Sequence, residues 1–277
     1  MASPKEQLDL FVALVGDLPL RDDKEMMSAP MVSLSKKPPS LLRWTGPSGQ
    51  QVKIMAETGD RIATIYDFDI IIWAISQINT KIERGEADPG ATITFRPYDL
   101  LRSIRRGTSG RHYQELKASI DRLRATRVIT TIRRRNKDRL EDFNLLSEAS
   151  WEEDKEGRPL GMQITLPRWI YRAIQSRKEI LAISVEYFDL SSGLDRFLYR
   201  LARRHVGNGL DNPDGWAFSF RDLHKRSGSP APFGGFSRDL RKAIARDQLP
   251  TYTLAEELGA NGDPLLRLSF RRLWISR

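Results

Sequence analysis

Arg111, Gln114, Glu115, Ala118 and Arg122 recur at the spacing that lines one side of a helix, while Tyr113, Leu116, Ile120 and Leu123 line the other. The polar side has a definite chemistry. A guanidinium pairs bidentately with a guanine edge and a carboxamide with adenine, and a small Ala admits close approach to a thymine methyl. Ser109 and Lys117 stand where phosphate contacts are expected. A second set lies downstream, where Phe236, Leu240 and Ile244 define an inward face and turn Arg238, Arg241, Lys242 and Ala245 outward, with Ser237 beside them. That face suits phosphates more than bases.

Other chemistries are poorly supplied. The chain of 277 residues has no Cys, so it offers no disulfide, thiolate nucleophile or Cys-ligated metal, and a reducing cytoplasm is its natural home. Its histidines, His112, His205 and His224, are far apart in sequence, which leaves out an H-E-x-x-H site or the His pair of a metal-dependent nicking enzyme. Gly-Lys never occurs, so there is no P-loop. Acidic groups such as Asp67 with Asp69, or Glu152 with Glu153 and Asp154, read as caps and solvated loops, and Tyr171, Tyr187 and Tyr199 fall in apolar patterns rather than as nucleophiles. No enzyme activity, metal or cofactor is expected. No apolar run exceeds the six residues of Ile70 to Ile75, too short to span a bilayer, and the first residues lack the pattern of a signal peptide.

The charge is unevenly placed. Lys and Arg exceed Asp and Glu by 45 to 36, a formal charge of +9. Residues 96–139 hold 14 basic against 4 acidic side chains and residues 194–249 hold 11 against 6, whereas the stretch between them is acidic. Two basic blocks of this kind point to a polyanion contacted twice, with nucleic acid the first candidate.

Each block coincides with the same predicted order of elements. In the first, Asp67 caps a helix carrying Ile71, Ile75, Ile78 and Ile82; Thr92–Phe95 is a strand; Pro97 starts a second helix; and Gly107–Gly110 leads to the third. Val128–Ile132 and Leu140–Leu146 then form a hairpin with a basic tip containing Arg133, Arg134 and Arg135. In the second, a helix with Leu194, Phe197, Leu198 and Leu201 precedes a Trp216–Phe220 strand, two helices, and a hairpin turning at Asn261-Gly262. Local sequence echoes the repeat, with Thr94-Phe-Arg before Asp99-Leu and Ser219-Phe-Arg before Asp222-Leu. The expected class is α+β, tandem winged-helix (helix-turn-helix) domains with β-hairpin wings and a flexible N-terminal arm. The expected boundaries are an arm over 1–60, a first winged-helix domain over 61–166, a connector over 167–193 and a second domain over 194–277. Arg133, Arg134 and Arg135 would reach phosphates or the minor groove.

Residues 1–60 lack sustained periodicity, and much of this arm is expected to be mobile. Within it Gln7-Leu8-Asp9-Leu10-Phe11 resembles the peptide that binds the bacterial replication sliding clamp, with Gln7, Leu8, Leu10 and Phe11 as anchors. Trp151–Glu156 reads as an acidic hairpin tip, and Met162–Leu166 as a strand before a connecting helix over Arg168 to Gln175.

Three segments together resemble one family. Met31-Val-Ser-Leu-Ser-Lys-Lys37, Thr64-Ile-Tyr-Asp-Phe-Asp-Ile70 with Ala74-Ile-Ser-Gln77, and Thr94-Phe-Arg followed by Asp99-Leu-Leu look like the plasmid replication initiator protein A family of proteobacteria, over roughly residues 30–270. The resemblance implies a cytoplasmic bacterial initiator with two winged-helix domains. It would bind iterons, the direct repeats of double-stranded DNA at a plasmid origin, open an AT-rich region and recruit the host helicase and initiator. It also implies a homodimeric pool and a clamp-type peptide near the N-terminus. A winged-helix transcriptional repressor without a replication role is the alternative, since it would share both units; the clamp-like peptide favours replication.

Overall fold

The computed structural model describes residues 19–59, 61–132, 140–155, 159–210 and 212–271. Its first elements fall where a mobile arm was expected. Strand β1 (Arg21–Asp23) leads into the short helix α1 (Lys24–Ser28), whose first turn is capped by the Asp23 carboxylate accepting from the Glu25 and Met26 amides. Strands β2 (Leu41–Thr45) and β3 (Gln51–Ala56) form an antiparallel hairpin. Met26, Met27, Met31, Trp44 and Ile54 are all buried, so residues 19–59 contribute side chains to the core and the expectation of a mobile arm fails for them. The signal was present in the strict alternation of Leu42 and Trp44, then Val52 and Ile54, around a Gly46-Pro-Ser-Gly49 turn.

Helix α2 (Asp69–Glu83) is the centre of the molecule. Twelve of its fifteen residues are buried, Asp69, Ser76, Asn79 and Thr80 among them, so it is covered nearly all round rather than along one stripe. Trp73 packs edge-on against Phe95 with ring centroids 4.9 Å apart, and its truncation to Ala would cost roughly 3–5 kcal/mol. Asp67 does not cap this helix through its side chain. The carboxylate instead accepts from the Thr64 amide and hydroxyl, and the N-cap position falls to Phe68.

After α2 come β4 (Thr92–Phe95), α3 (Pro97–Ser103) with Pro97 in its first turn, and α4 (Gly110–Ala125), which buries Leu116, Ile120 and Leu123. Strands β5 (Thr126–Thr130) and β6 (Glu141–Asn144) pair with each other, and β5 also pairs with β3, giving a sheet of order β2-β3-β5-β6. Strands β7 (Glu148–Glu153) and β8 (Pro159–Thr165) form the next hairpin, and β8 pairs with β4 to give the order β4-β8-β7. This corrects the assignment of the wing. The hairpin expected to carry it joins the sheet built from residues 41–56, and the one that returns to β4 is the hairpin with the acidic tip. Arg133, Arg134 and Arg135 lie outside the described residues.

Helix α5 (Arg168–Ser176) follows Pro167, and β9 (Ile180–Ala182) pairs antiparallel with β1, tying the connector to the start of the fold. A 3-10 turn (Val185–Asp189) leads to α6 (Gly193–His205). Next stand β10 (Trp216–Ser219), α7 (Phe220–Ser227), α8 (Phe233–Arg246), and the hairpin of β11 (Tyr252–Leu258) and β12 (Pro264–Phe270). The last sheet has the order β10-β12-β11, matching β4-β8-β7 in the first half. Helix, strand, helix, helix and hairpin thus occur twice, with β5 and β6 inserted in the first copy between its third helix and its hairpin.

Buried ion pairs join the halves. Asp69, fully buried, accepts from Arg106 in the turn between α3 and α4 and from Arg196 in α6. The remaining Arg196 donors reach the Leu190 and Phe188 carbonyls at 2.7 and 3.0 Å. Asp22 pairs with Arg200, which also donates to the Met26 carbonyl. Each of these carboxylates meets at least one guanidinium, which is the condition under which buried charge is tolerated. Among the described residues no helix is long and apolar enough to cross a membrane.

Candidate nucleic-acid interface

On α4 the residues Arg111, Gln114, Glu115 and Ala118 are exposed. Arg111 retains 84% of its side-chain exposure while pairing with Glu115 one turn away at 2.8 Å, a contact that solvent screens and a stronger acceptor displaces. Ser109 holds the N-cap position, but its hydroxyl meets the His112 ring nitrogen at 2.8 Å rather than a helix amide.

Two residues expected on this face are engaged elsewhere. Arg122 is half-buried and donates to both oxygens of Asp67, which holds its guanidinium above its ordinary pKa. Lys117 turns toward β7, where its ammonium lies 5.3 Å from the Trp151 ring centroid and pairs with Glu153, whose carboxyl is held below the usual carboxylate range. Arg122 is therefore a positioning contact for α4, and Lys117 fixes the β7–β8 hairpin against it. The sequence could not separate these roles, because both residues have the right helical phase and their partners lie 55 and 36 positions away.

On α8, Arg238, Arg241, Lys242 and Ala245 are exposed as expected. Arg241 reaches Glu256 on β11 at 2.8 Å and stands over the Phe220 ring, tying the hairpin to its helix much as Lys117 does in the first unit. Lys242 meets Asp239 at 3.2 Å. Ser237 is 8% exposed with its hydroxyl unpartnered, so it faces the core rather than a ligand. Arg238 has no carboxylate partner among the described residues. Gln7, Leu8, Leu10 and Phe11 lie outside the described residues.

A groove that helical periodicity does not reveal runs beside α4. Lys36, Arg61, Arg105, Arg106, Arg122 and Arg196 line it against two carboxylates, Asp67 and Glu115. Its cations come from five separate segments, so no local pattern announces it.

Two copies of one helix-rich unit, each with a basic third helix and a hairpin clipped to it, make up the fold. The chain superposes on domains 2 and 3 of RctB with a TM-score of 0.63 at 14% identity, covering 89% of this chain and 98% of that one. A second structure of RctB domains 2–3 gives a TM-score of 0.55 at 12% identity, covering 90% and 96%. The family model for replication initiator protein A matches residues 21–254, and a "Putative replication protein" of Wigglesworthia glossinidia brevipalpis is 34% identical over 204 residues, 73% of this chain and 72% of that one. The chain belongs to the replication initiator protein A family.

Proposed function

We propose that the protein initiates plasmid replication by binding directly repeated duplex sites, iterons, through two winged-helix units. Helices α4 and α8 lie in successive major grooves about 10 bp apart. Arg111 and Gln114 read guanine and adenine edges, Ala118 lies against a thymine methyl, and Ser109 contacts phosphate. Arg238, Arg241 and Lys242 hold the backbone at the second groove, with Ala245 allowing close approach. The β7–β8 and β11–β12 hairpins act as wings, and Arg133, Arg134 and Arg135 extend the positive field. Binding and bending of DNA supply the free energy, with no catalytic residue, and the Gln7–Phe11 peptide recruits the host sliding clamp.

The observation that supports this reading best is the equivalence of α4 and α8. Each is the third helix of the same unit, each exposes a polar basic face, and each has one basic residue clipping its hairpin.

The test is to select duplexes from random DNA with the full chain, then compare binding of Arg111→Ala and Lys242→Ala. Arg111→Ala is expected to relax preference at one base pair by about 1–3 kcal/mol, while Lys242→Ala weakens selected and random duplexes alike. Selection of no sequence, or of one site too short for two units, would refute it.

A further inference from the structure

Met31 to Lys37 changes from apolar to basic within seven residues, and its placement follows that change. Met31, Val32 and Ser33 are buried, Leu34 and Ser35 half-buried, and Lys36 and Lys37 exposed. The segment is firmly held. The Ser33 amide donates to the Ala63 carbonyl at 2.9 Å, and its carbonyl accepts from the Ile65 amide at 2.8 Å. The Ser35 hydroxyl receives the Lys37 amide and donates back to the Lys37 carbonyl, each at 3.1 Å. The Leu34 carbonyl sits so close to Gly193, at the start of α6, that a Cβ there would lie 2.3 Å from its oxygen. The loop is thus wedged between the entrance to α2 and the first helix of the second unit.

On either side of this ridge runs a groove along a third helix. One is lined by Lys36 and Pro38 together with His112, Glu115 and Ser119 of α4. The other is lined by Leu34 and Ser35 together with Phe236, Asp239, Lys242 and Arg246 around α8. Carboxylates in both grooves are already matched: Asp67 by Arg122, Glu115 by Arg111, Asp195 by Arg246 and Asp239 by Lys242. Lys36, Lys37 and Arg61 have no carboxylate partner among the described residues, and Lys36 is oriented only by the Tyr66 ring, 5.5 Å away.

We propose that the ridge formed by Lys36 and Lys37, with Arg61 beside it, is a phosphate-binding site that grips the DNA backbone between the two third helices. This rests on the duplex-reading function above. A duplex engaging both helices carries its backbone across the loop that separates them, and duplex DNA places one negative charge per ~1.7 Å of axis. A ridge that is basic, unmatched and held by its backbone meets that charge without the cost of ordering the loop. It sets the spacing of the two half-sites as well as adding affinity.

The test uses the full chain, its selected duplex and a random duplex of equal length, with affinity measured between 50 and 200 mM KCl. The Lys36→Ala/Lys37→Ala variant is expected to bind both duplexes more weakly, with unchanged preference between them. Loss of two phosphate contacts lowers the salt slope by about 1.8, so the advantage of the unaltered protein shrinks about tenfold over this range. Phosphate ethylation between the two contacted blocks should block the unaltered protein and be silent for the variant, while Lys36→Arg/Lys37→Arg restores both effects. An unchanged slope and ethylation pattern would overturn the ridge proposal alone. Failure of the unaltered protein to select any duplex would remove the DNA-reading function, and the ridge with it.

Discussion

Arg122 crosses 55 residues of chain to set two donors on Asp67, Nε at 3.0 Å from one carboxylate oxygen and Nη2 at 2.6 Å from the other. One residue belongs to the third helix of the first unit, the other to the tight turn that enters the central helix. Asp67 is 2% exposed, so this arginine is its main compensation. The pair fixes how α4 sits on the body of the protein, and so the direction in which Arg111 and Gln114 face.

Arg122→Ala should lower stability by about 2–4 kcal/mol, because it strands a buried carboxylate rather than removing a surface charge. Urea unfolding measures this directly. Preference among duplexes should change less than with Arg111→Ala.

Asp69 carries a heavier duty, since Arg106 and Arg196 both converge on it from different units. Asp69→Ala is expected to cost about 3–5 kcal/mol. The double change Asp69→Leu/Arg196→Met should cost less than the single one, because it removes the most deeply buried guanidinium together with the carboxylate and leaves only the partly exposed Arg106 without its partner. A double variant less stable than Asp69→Ala would contradict this account.

Both pairs mark the limit of what was legible in the chain. The β4 strand, the third helices and the final hairpin follow from local periodicity, with turn chemistry at Pro97, Gly107 and Asn261-Gly262. The exposed positions of Arg111, Gln114, Arg238 and Lys242 follow from the same helical phase. What was missed is nonlocal. Nothing in Val128–Ile132 says that β5 pairs with β3 rather than β4, and α2 gives few phase cues because it is covered all round. The misplacement of Arg122 and Ser237 has a related cause, for each lies at the margin of a face where a few degrees of helix rotation decide between solvent and core.

His205 provides a pH-dependent signature of the second unit. Its ring packs between Trp216 and Phe218, with centroids 5.2 and 5.0 Å away, and its Nε2 is buried without a partner. Burial, aided by Arg204 and Arg226, pushes its pKa down to about 4. Below the ordinary value near 6.5 the unfolded chain takes a proton that the folded protein refuses, so stability is full above that pH and falls as pH drops toward 4. The loss should approach about 3 kcal/mol by pH 4. His205→Phe should flatten this part of the profile in thermal melts at pH 4–7.

Gly193→Ala tests the wedge beneath the basic ridge. A Cβ placed 2.3 Å from the Leu34 carbonyl forces backbone apart, with an expected cost of about 1–3 kcal/mol. Gly234→Ala, where nothing lies within 4 Å of the new atom, should instead stabilise α8 by about 0.5–1 kcal/mol. Calorimetric melting of both variants provides the comparison.

The pairing of Asp22 with Arg200, 178 residues apart, also sets an order of events during synthesis. At about 5–20 residues per second the carboxylate is made roughly 10–35 s before its guanidinium. Through that interval Met26 and Met27 have no α6 to lie against, and β1 waits almost as long for β9. The earliest described segment is therefore among the last to dock. A nascent chain stopped within the connector leaves part of its core open, and only translation into the second unit closes it.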